Sequence, residues 1–289
     1  MILQKDGYLA VMTVKDLALT FGDGPTARPV LDGVSFELMP NEILGIVGET
    51  GAGKSILARV LMDLVPNGAT LSAGKITLNG KSFTEMSSEE LQKVRGGKIA
   101  LIGTNAKALL DPVETVGKQI VRVLQRHRPQ SKASAWQTMV QLLEEVGIVD
   151  AANRANAYPH ELSGGMAQRV VIAMALVAEP AILLADDATL GLDATVSVQV
   201  LDMLVARCQA RGLSVVLITH DLGIIAHYCQ RVAIMKQGRF VEIDTVNSFL
   251  AGPALPYSQE LLSAARAHPL PAIAREGGER QPLLNVEKL

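Results

Sequence analysis

ILGIVGETGAGKS, Ile43 to Ser55, decides the fold class of this chain. Ile43 to Gly48 is a short apolar run ending in glycine, which suits a buried strand. GETGAGKS, Gly48 to Ser55, then satisfies G-x-x-x-x-G-K-[ST] at every position, and helical sequence follows from Lys54. Strand, glycine loop and helix in that order is the setting of a phosphate-binding loop. The glycines let backbone N–H groups curl around phosphate oxygens, and the helix N-terminus adds a field that favours an anion. Gly48, Glu49, Thr50, Gly51, Ala52, Gly53, Lys54 and Ser55 are therefore expected to cradle a nucleotide. Lys54 would reach the β and γ phosphates, and the Ser55 hydroxyl would ligate Mg²⁺. A glycine-rich turn with a chance lysine is the alternative, and the strand and helix beside it argue against that.

Outward from the loop, Val11 to Phe21 and Val30 to Pro40 read as strands joined by the turn-rich GDGPTARP. KITLNG, Lys75 to Gly80, reads as a strand and turn. From about Pro112 to Val149 helical spacing dominates, as in VGKQIVRVL and ASAWQTMVQLLEEVGIV, so a helical lobe is inserted between two β-rich halves. After Ser163 the pattern becomes helix, strand, helix, strand. AILLAD and SVVLIT are too apolar to be half-exposed and fit a parallel sheet covered on both faces. RVAIMKQGRFVEID reads as a hairpin turning at Gln237 and Gly238.

Composition bounds the function. With 289 residues, 48% of them hydrophobic and 19% charged, the chain has ample apolar content for a packed core. A formal net charge of −2 gives no bulk attraction to nucleic acid. The two cysteines, Cys208 and Cys229, are too few for a disulfide framework, and a reducing cytosol fits. Apolar runs such as Val170 to Ala178 are too short to span a bilayer, and the opening MILQKDGYLA lacks the features of a signal peptide. Any membrane role is therefore expected to be peripheral, through a partner.

Two further stretches carry chemistry. LLADDATLGLD, Leu183 to Asp193, is an apolar strand running into paired aspartates, a usual way to hold a metal beside a phosphate. HELSGGMAQRVVIAMAL, His160 to Leu176, contains a second small nest, Ser163, Gly164 and Gly165, at a helix start. One nucleotide hardly needs two nests in one chain. The second makes sense if it closes over a nucleotide held by another subunit.

GETGAGKS, LSGGMAQRV, LLADDATLGLD and VLITHDLG, in this order and spacing, resemble the ATP-binding subunits of ABC transporters over residues 11 to about 265. The resemblance implies an α/β fold with a P-loop, RecA-like parallel-sheet core, an antiparallel β subdomain and an inserted α-helical subdomain. It divides the chain into residues 1–95 (β subdomain and loop half of the core), 96–160 (helical subdomain), 161–245 (second half of the core) and 246–289 (C-terminal helices and linker). It implies a head-to-tail dimer sandwiching two ATPs, each touching the phosphate loop of one half and the LSGG nest of the other. Asp186 then holds Mg²⁺ through water, and Asp187 takes the place of the general base. Asp193 belongs to a loop crossing the interface, His220 contacts the γ-phosphate, and Phe21 stacks on adenine; an ordinary core residue is the other reading of Phe21.

ILGIVGETGAGKS, DPVETVGKQI, YPHELSGGMAQRV and LPYSQELLSA resemble more narrowly the peptide and nickel importer branch. Membrane permeases and, indirectly, a substrate-binding protein are the implied partners, at the cytoplasmic face of the inner membrane. Non-transport relatives acting on DNA or ribosomes usually carry coiled-coil insertions or basic arms, and neither occurs in this sequence.

The sequence departs from the family where hydrolysis occurs. Gly103, Thr104, Asn105 and Ala106 replace phenylalanine-glutamine-aspartate-proline. The family glutamine contacts Mg²⁺ and the attacking water; Thr104, in its place among the metal-side residues, is too short to reach in the same way. Asp187 replaces glutamate, retracting the carboxylate by roughly 1.5 Å, and Ala188 replaces a proline and should loosen the turn. The expectation is a half that binds MgATP but hydrolyses weakly and completes a competent site on its partner. Two fully active sites, or a regulatory subunit with no turnover, are the alternatives. Finally, RQPLLNVEKL resembles VMTVKDL at the start, as if Leu283 to Leu289 opened a second ATP-binding half after the linker-like HPLPAIAREGGERQP.

Overall fold

The computed structural model describes residues 9–22 and 27–267. Alternating buried and open positions give β1 (Met12–Phe21) and β2 (Arg28–Leu38), and an unbroken apolar run gives the fully buried β3 (Ile43–Val47). The phosphate loop leads into α1 (Lys54–Val60). Beyond it lie β4 (Ala69–Leu78), β5 (Lys81–Ser82) and α2 (Ser88–Val94), whose N-terminus is closed by a reciprocal capping box between Ser87 and Glu90. The strands β2-β1-β4-β5 form an antiparallel sheet. Its inward side chains, among them Met12, Val14, Leu17 and Leu19, pack with Leu44, Ile46 and Leu57 of the loop half of the core.

The helical lobe contains α3 (Ala106–Leu109), α4 (Val116–His127), α5 (Lys132–Glu145) and α6 (Ala151–Arg154). Val116, Ile120 and Leu124 recur every fourth residue, so they share one face of α4. They are buried in one cluster with Ala135, Met139, Leu142 and Leu143 of α5. Residues 96–102, expected at the start of this lobe, instead include β6 (Ile99–Ile102), an edge strand parallel to β7. The helices begin after it. Four apolar residues are too few for periodicity to separate a strand from a helix. The strand expected at Lys75 begins earlier, at Ala69, where it pairs with β1; its Ala69–Lys75 half is largely open to solvent and shows no apolar alternation that would mark it in the sequence.

From α7 (Gly164–Leu176) the chain alternates: β7 (Ile182–Asp186), α8 (Ala194–Ala210), β8 (Ser214–Ile218), α9 (Leu222–Tyr228), β9 (Arg231–Lys236), β10 (Arg239–Thr245), α10 (Val246–Ala251) and α11 (Pro256–Ala267). The core sheet has the order β10-β9-β3-β8-β7-β6. Neighbours from β9 to β6 are parallel, and β10 is antiparallel. The β9–β10 turn has Gln237 at φ 48° and Gly238 at φ 80°, the left-handed pair of a two-residue hairpin. No helix among the described residues is long and apolar enough to cross a membrane. The tail resemblance at Leu283 to Leu289, and the segment before it, lie outside the described residues.

Candidate nucleotide site

Strands β3, β7 and β8 lie side by side and parallel, so their C-terminal ends deliver the phosphate loop, the paired aspartates and His220 to one edge of the sheet. Open parallel sheets place ligand sites at that edge. The loop fits only with glycine at defined points. A Cβ on Gly48 would stand 2.0 Å from the Met235 carbonyl oxygen, and Gly53 turns the chain into α1 at φ 103°. The hairpin also braces the loop, because the Gly238 N–H donates to the Ala52 carbonyl at 2.9 Å.

Lys54 is buried and donates from Nζ to the carbonyls of Gly48 (2.8 Å) and Glu49 (3.0 Å). Burial lowers its pKa, and the charges of Asp187 and Asp186 oppose that shift. Asp186, the last residue of β7, is 7% exposed, and its Oδ1 lies buried without a hydrogen-bond partner. Burial raises its pKa first of all; a hydrogen bond from Ser55 pulls the other way. An orphaned carboxylate oxygen beside a hydroxyl is a donor set that fits one side of a hard divalent cation. Among the described residues no group of three or more His, Cys, Asp or Glu could hold a metal ion.

Asp187 takes a left-handed backbone conformation, φ 45°, and its N–H donates to the Ile218 carbonyl of β8 at 2.9 Å. Its Oδ1 lies 3.3 Å from Nδ1 of the exposed His220. The turn around Ala188, expected to be loose, is closed by N–H donation from Leu190 to Asp187 and from Leu192 to Thr189. Ala188 is buried in the core.

The remaining site candidates lie elsewhere. Ser163 caps α7, accepting from the Met166 N–H at 3.2 Å, and Gly164 is exposed beside it. A Cβ on Gly165 would meet Val196 at 2.8 Å, so small size lets α8 approach. Asp193 caps α8, accepting from the Val196 N–H at 3.0 Å. Thr104 lines a cleft of about 300 Å³ with Asn105, Lys107, Gly164, Gln168 and Leu190 to Leu192, on the nest side of the molecule. Phe21 is half-buried at the end of β1, against the loop half of the core.

Gln168 was not visible as a site candidate, because it sits in an apolar helical run. Its buried Nε2 has no hydrogen-bond partner among the described residues, and it lines the cleft of Thr104. The brace from Met235 and Gly238 runs through backbone atoms, which leave no mark in side-chain identity.

The ABC transporter family profile matches residues 31–190. A probable peptide ABC transporter ATP-binding protein of Sinorhizobium fredii is 40% identical over 255 residues, covering 88% of this chain and 76% of that one. The oligopeptide transport ATP-binding protein OppD of Bacillus subtilis is 40% identical over 270 residues, covering 93% and 74%. The fold matches that of a dimeric ATP-binding cassette in a post-hydrolysis state bound to ADP and Pi, with a TM-score of 0.73 at 24% identity, covering 81% of this chain and 98% of that one.

Proposed function

The chain belongs to the ABC transporter family of ATPases, and from that premise we propose that it is the ATP-hydrolysing, energy-coupling subunit of a peptide importer, one half of an asymmetric dimer. The observation that carries the reading is the meeting of Lys54, Ser55 and the orphaned Asp186 carboxylate at the mouth of one glycine loop. The names of the relatives support peptides as cargo.

Gly48 to Ser55 cradle the phosphates through backbone N–H groups, and Phe21 packs on the base. Lys54 exchanges the loop carbonyls for β and γ phosphate oxygens. Ser55 and Asp186 would hold Mg²⁺, which would neutralise the charge that builds up on the phosphates. His220 meets the γ-phosphate. Ser163, Gly164 and Gly165 present a bare helix start to the nucleotide of the second ATPase half, and Asp193 belongs to the same interface. Closing and opening of the dimer moves membrane permease subunits docked near Thr104 and the helical lobe. Such a subunit sits peripherally at the cytoplasmic face of the membrane and receives cargo indirectly from a substrate-binding protein.

The asymmetry rests on Asp187 and Thr104. A carboxylate one methylene short, bonded to His220, holds an attacking water out of place, and a misplacement of about 1 Å costs on the order of 10²-fold in rate. Nucleotide binding does not depend on either residue. Reconstitution with the permease, partner ATPase and binding protein in vesicles tests the function. ATP-dependent peptide uptake is expected, and Lys54→Ala in this chain should reduce it severely. No ATP-dependent uptake of any peptide by the intact assembly contradicts the reading.

A further inference from the structure

The stretch LPYSQELLSA has no part in the nucleotide chemistry above, yet α11 brings one of its residues to the phosphate loop. The helix is well anchored. Ser258 and Leu262 are buried, Gln259 donates to the Pro253 carbonyl at 3.0 Å, and Arg266 donates to the Leu250 carbonyl at 2.7 Å. Just before it, the Ala254 N–H donates to Glu242 of β10 at 2.9 Å. From this base Tyr257 reaches forward. Lys236, the last residue of β9, holds its ammonium 4.1 Å from the centre of the Tyr257 ring. The Tyr257 hydroxyl is buried beside Glu49 and makes no hydrogen bond of good geometry among the described residues. Burial raises the phenol's pKa first of all, and the Glu49 backbone opposes that shift while its carboxylate adds to it.

Lys236 lies between Met235, whose carbonyl bounds Gly48, and the hairpin turn that bonds Ala52. Tyr257 thus touches the loop from two sides: through Lys236 and the hairpin, and directly at Glu49. Lys54 ties down the same arm from within, through the Gly48 and Glu49 carbonyls. A nucleotide that takes Lys54 for its phosphates releases that inner tie.

We propose that Tyr257 is a positioning residue for nucleotide binding: its ring on Lys236 keeps the Gly48–Glu49 arm of the loop in shape when Lys54 turns to the phosphates. This rests on the reading of the loop as an ATP cradle. The consequence is that α11, far along the chain from the loop, sets nucleotide affinity.

The test is titration of the full chain with a fluorescent ATP analogue and Mg²⁺, alongside thermal unfolding without nucleotide. Tyr257→Ala should weaken binding about three- to tenfold, the scale of a lost cation–π contact. Tyr257→Phe keeps the ring on Lys236 and should bind within about twofold of the parent. Lys236→Met keeps the stem but loses the charge, and should repeat much of the Tyr257→Ala effect. It also carries the test if Tyr257→Ala does not fold. In the reconstituted assembly KM for ATP should rise while kcat holds. Parental affinity in both Tyr257→Ala and Lys236→Met, or a loss in Tyr257→Phe as large as in Tyr257→Ala, overturns the proposal. A parent chain that fails to bind the analogue instead overturns the cradle itself.

Discussion

The Asp187 carboxylate and the His220 imidazole stand 3.3 Å apart, Oδ1 to Nδ1, just past the C-terminal ends of the neighbouring strands β7 and β8. The Asp187 N–H is tied to the Ile218 carbonyl and its backbone is left-handed, so the direction of the side chain is set by the sheet. Only its length is left to adjust. Asp187→Glu should therefore advance the carboxylate by roughly one bond length and raise turnover at this site by about tenfold to a hundredfold. Single-turnover hydrolysis, in an assembly whose partner acid has been neutralised, reads this site alone. No increase there contradicts the assignment of Asp187 as a shortened base.

Asp186 makes the nucleotide-free chain sensitive to pH. Burial raises its pKa in the folded chain above that in the unfolded chain. Between the two values the folded chain keeps a proton that the unfolded chain has released, so stability falls as pH rises through that window. Above the raised folded-state value the full penalty is present. Asp186→Asn removes it, and Tm at pH 7 should rise, by about 2–4 °C for each kcal/mol recovered. The gain should vanish below about pH 4, where the parent carboxyl is protonated in both states. The same substitution should abolish the Mg²⁺ dependence of ATP-analogue binding. A Tm gain that is equal at both pH values contradicts the account.

Two glycines in one loop separate packing from backbone strain. Gly48→Ala drives a methyl into the Met235 carbonyl, whereas Gly51 at φ 83° has open space around its Cβ position. Gly51→Ala should cost about 1–2 kcal/mol, the left-handed penalty alone. Gly48→Ala should cost more and abolish nucleotide binding, because both strand and loop must shift. Urea unfolding of the two variants checks the order, and equal losses contradict the fit described for Gly48.

The strand, loop and helix from Ile43 to Val60 were legible because the signal is local: the glycine spacing lies within eight residues, and the strand and helix beside it can be recognised by pattern. The buried strands β7 and β8 were legible because both faces are covered, so their apolar runs are unbroken. Ile99–Ile102 was not, since four apolar residues are too few for periodicity to mark an edge strand of the core inside a segment grouped with the helical lobe. Tyr257 and Lys236 were not legible as neighbours of Glu49. Their contact is made by the docking of α11, a relation between distant segments that no local pattern encodes. Asp187 was legible as a departure, while its pairing geometry with His220 needed the sheet that aligns β7 with β8.

The central claim is that this half holds ATP better than it cleaves it, and steady-state ATPase of the reconstituted two-ATPase assembly tests it most directly. Asp187→Asn is introduced in this chain, and the equivalent acid of the partner half is neutralised in a second preparation. The account predicts that most activity survives the first change and nearly all is lost with the second. Equal losses from the two changes would contradict it.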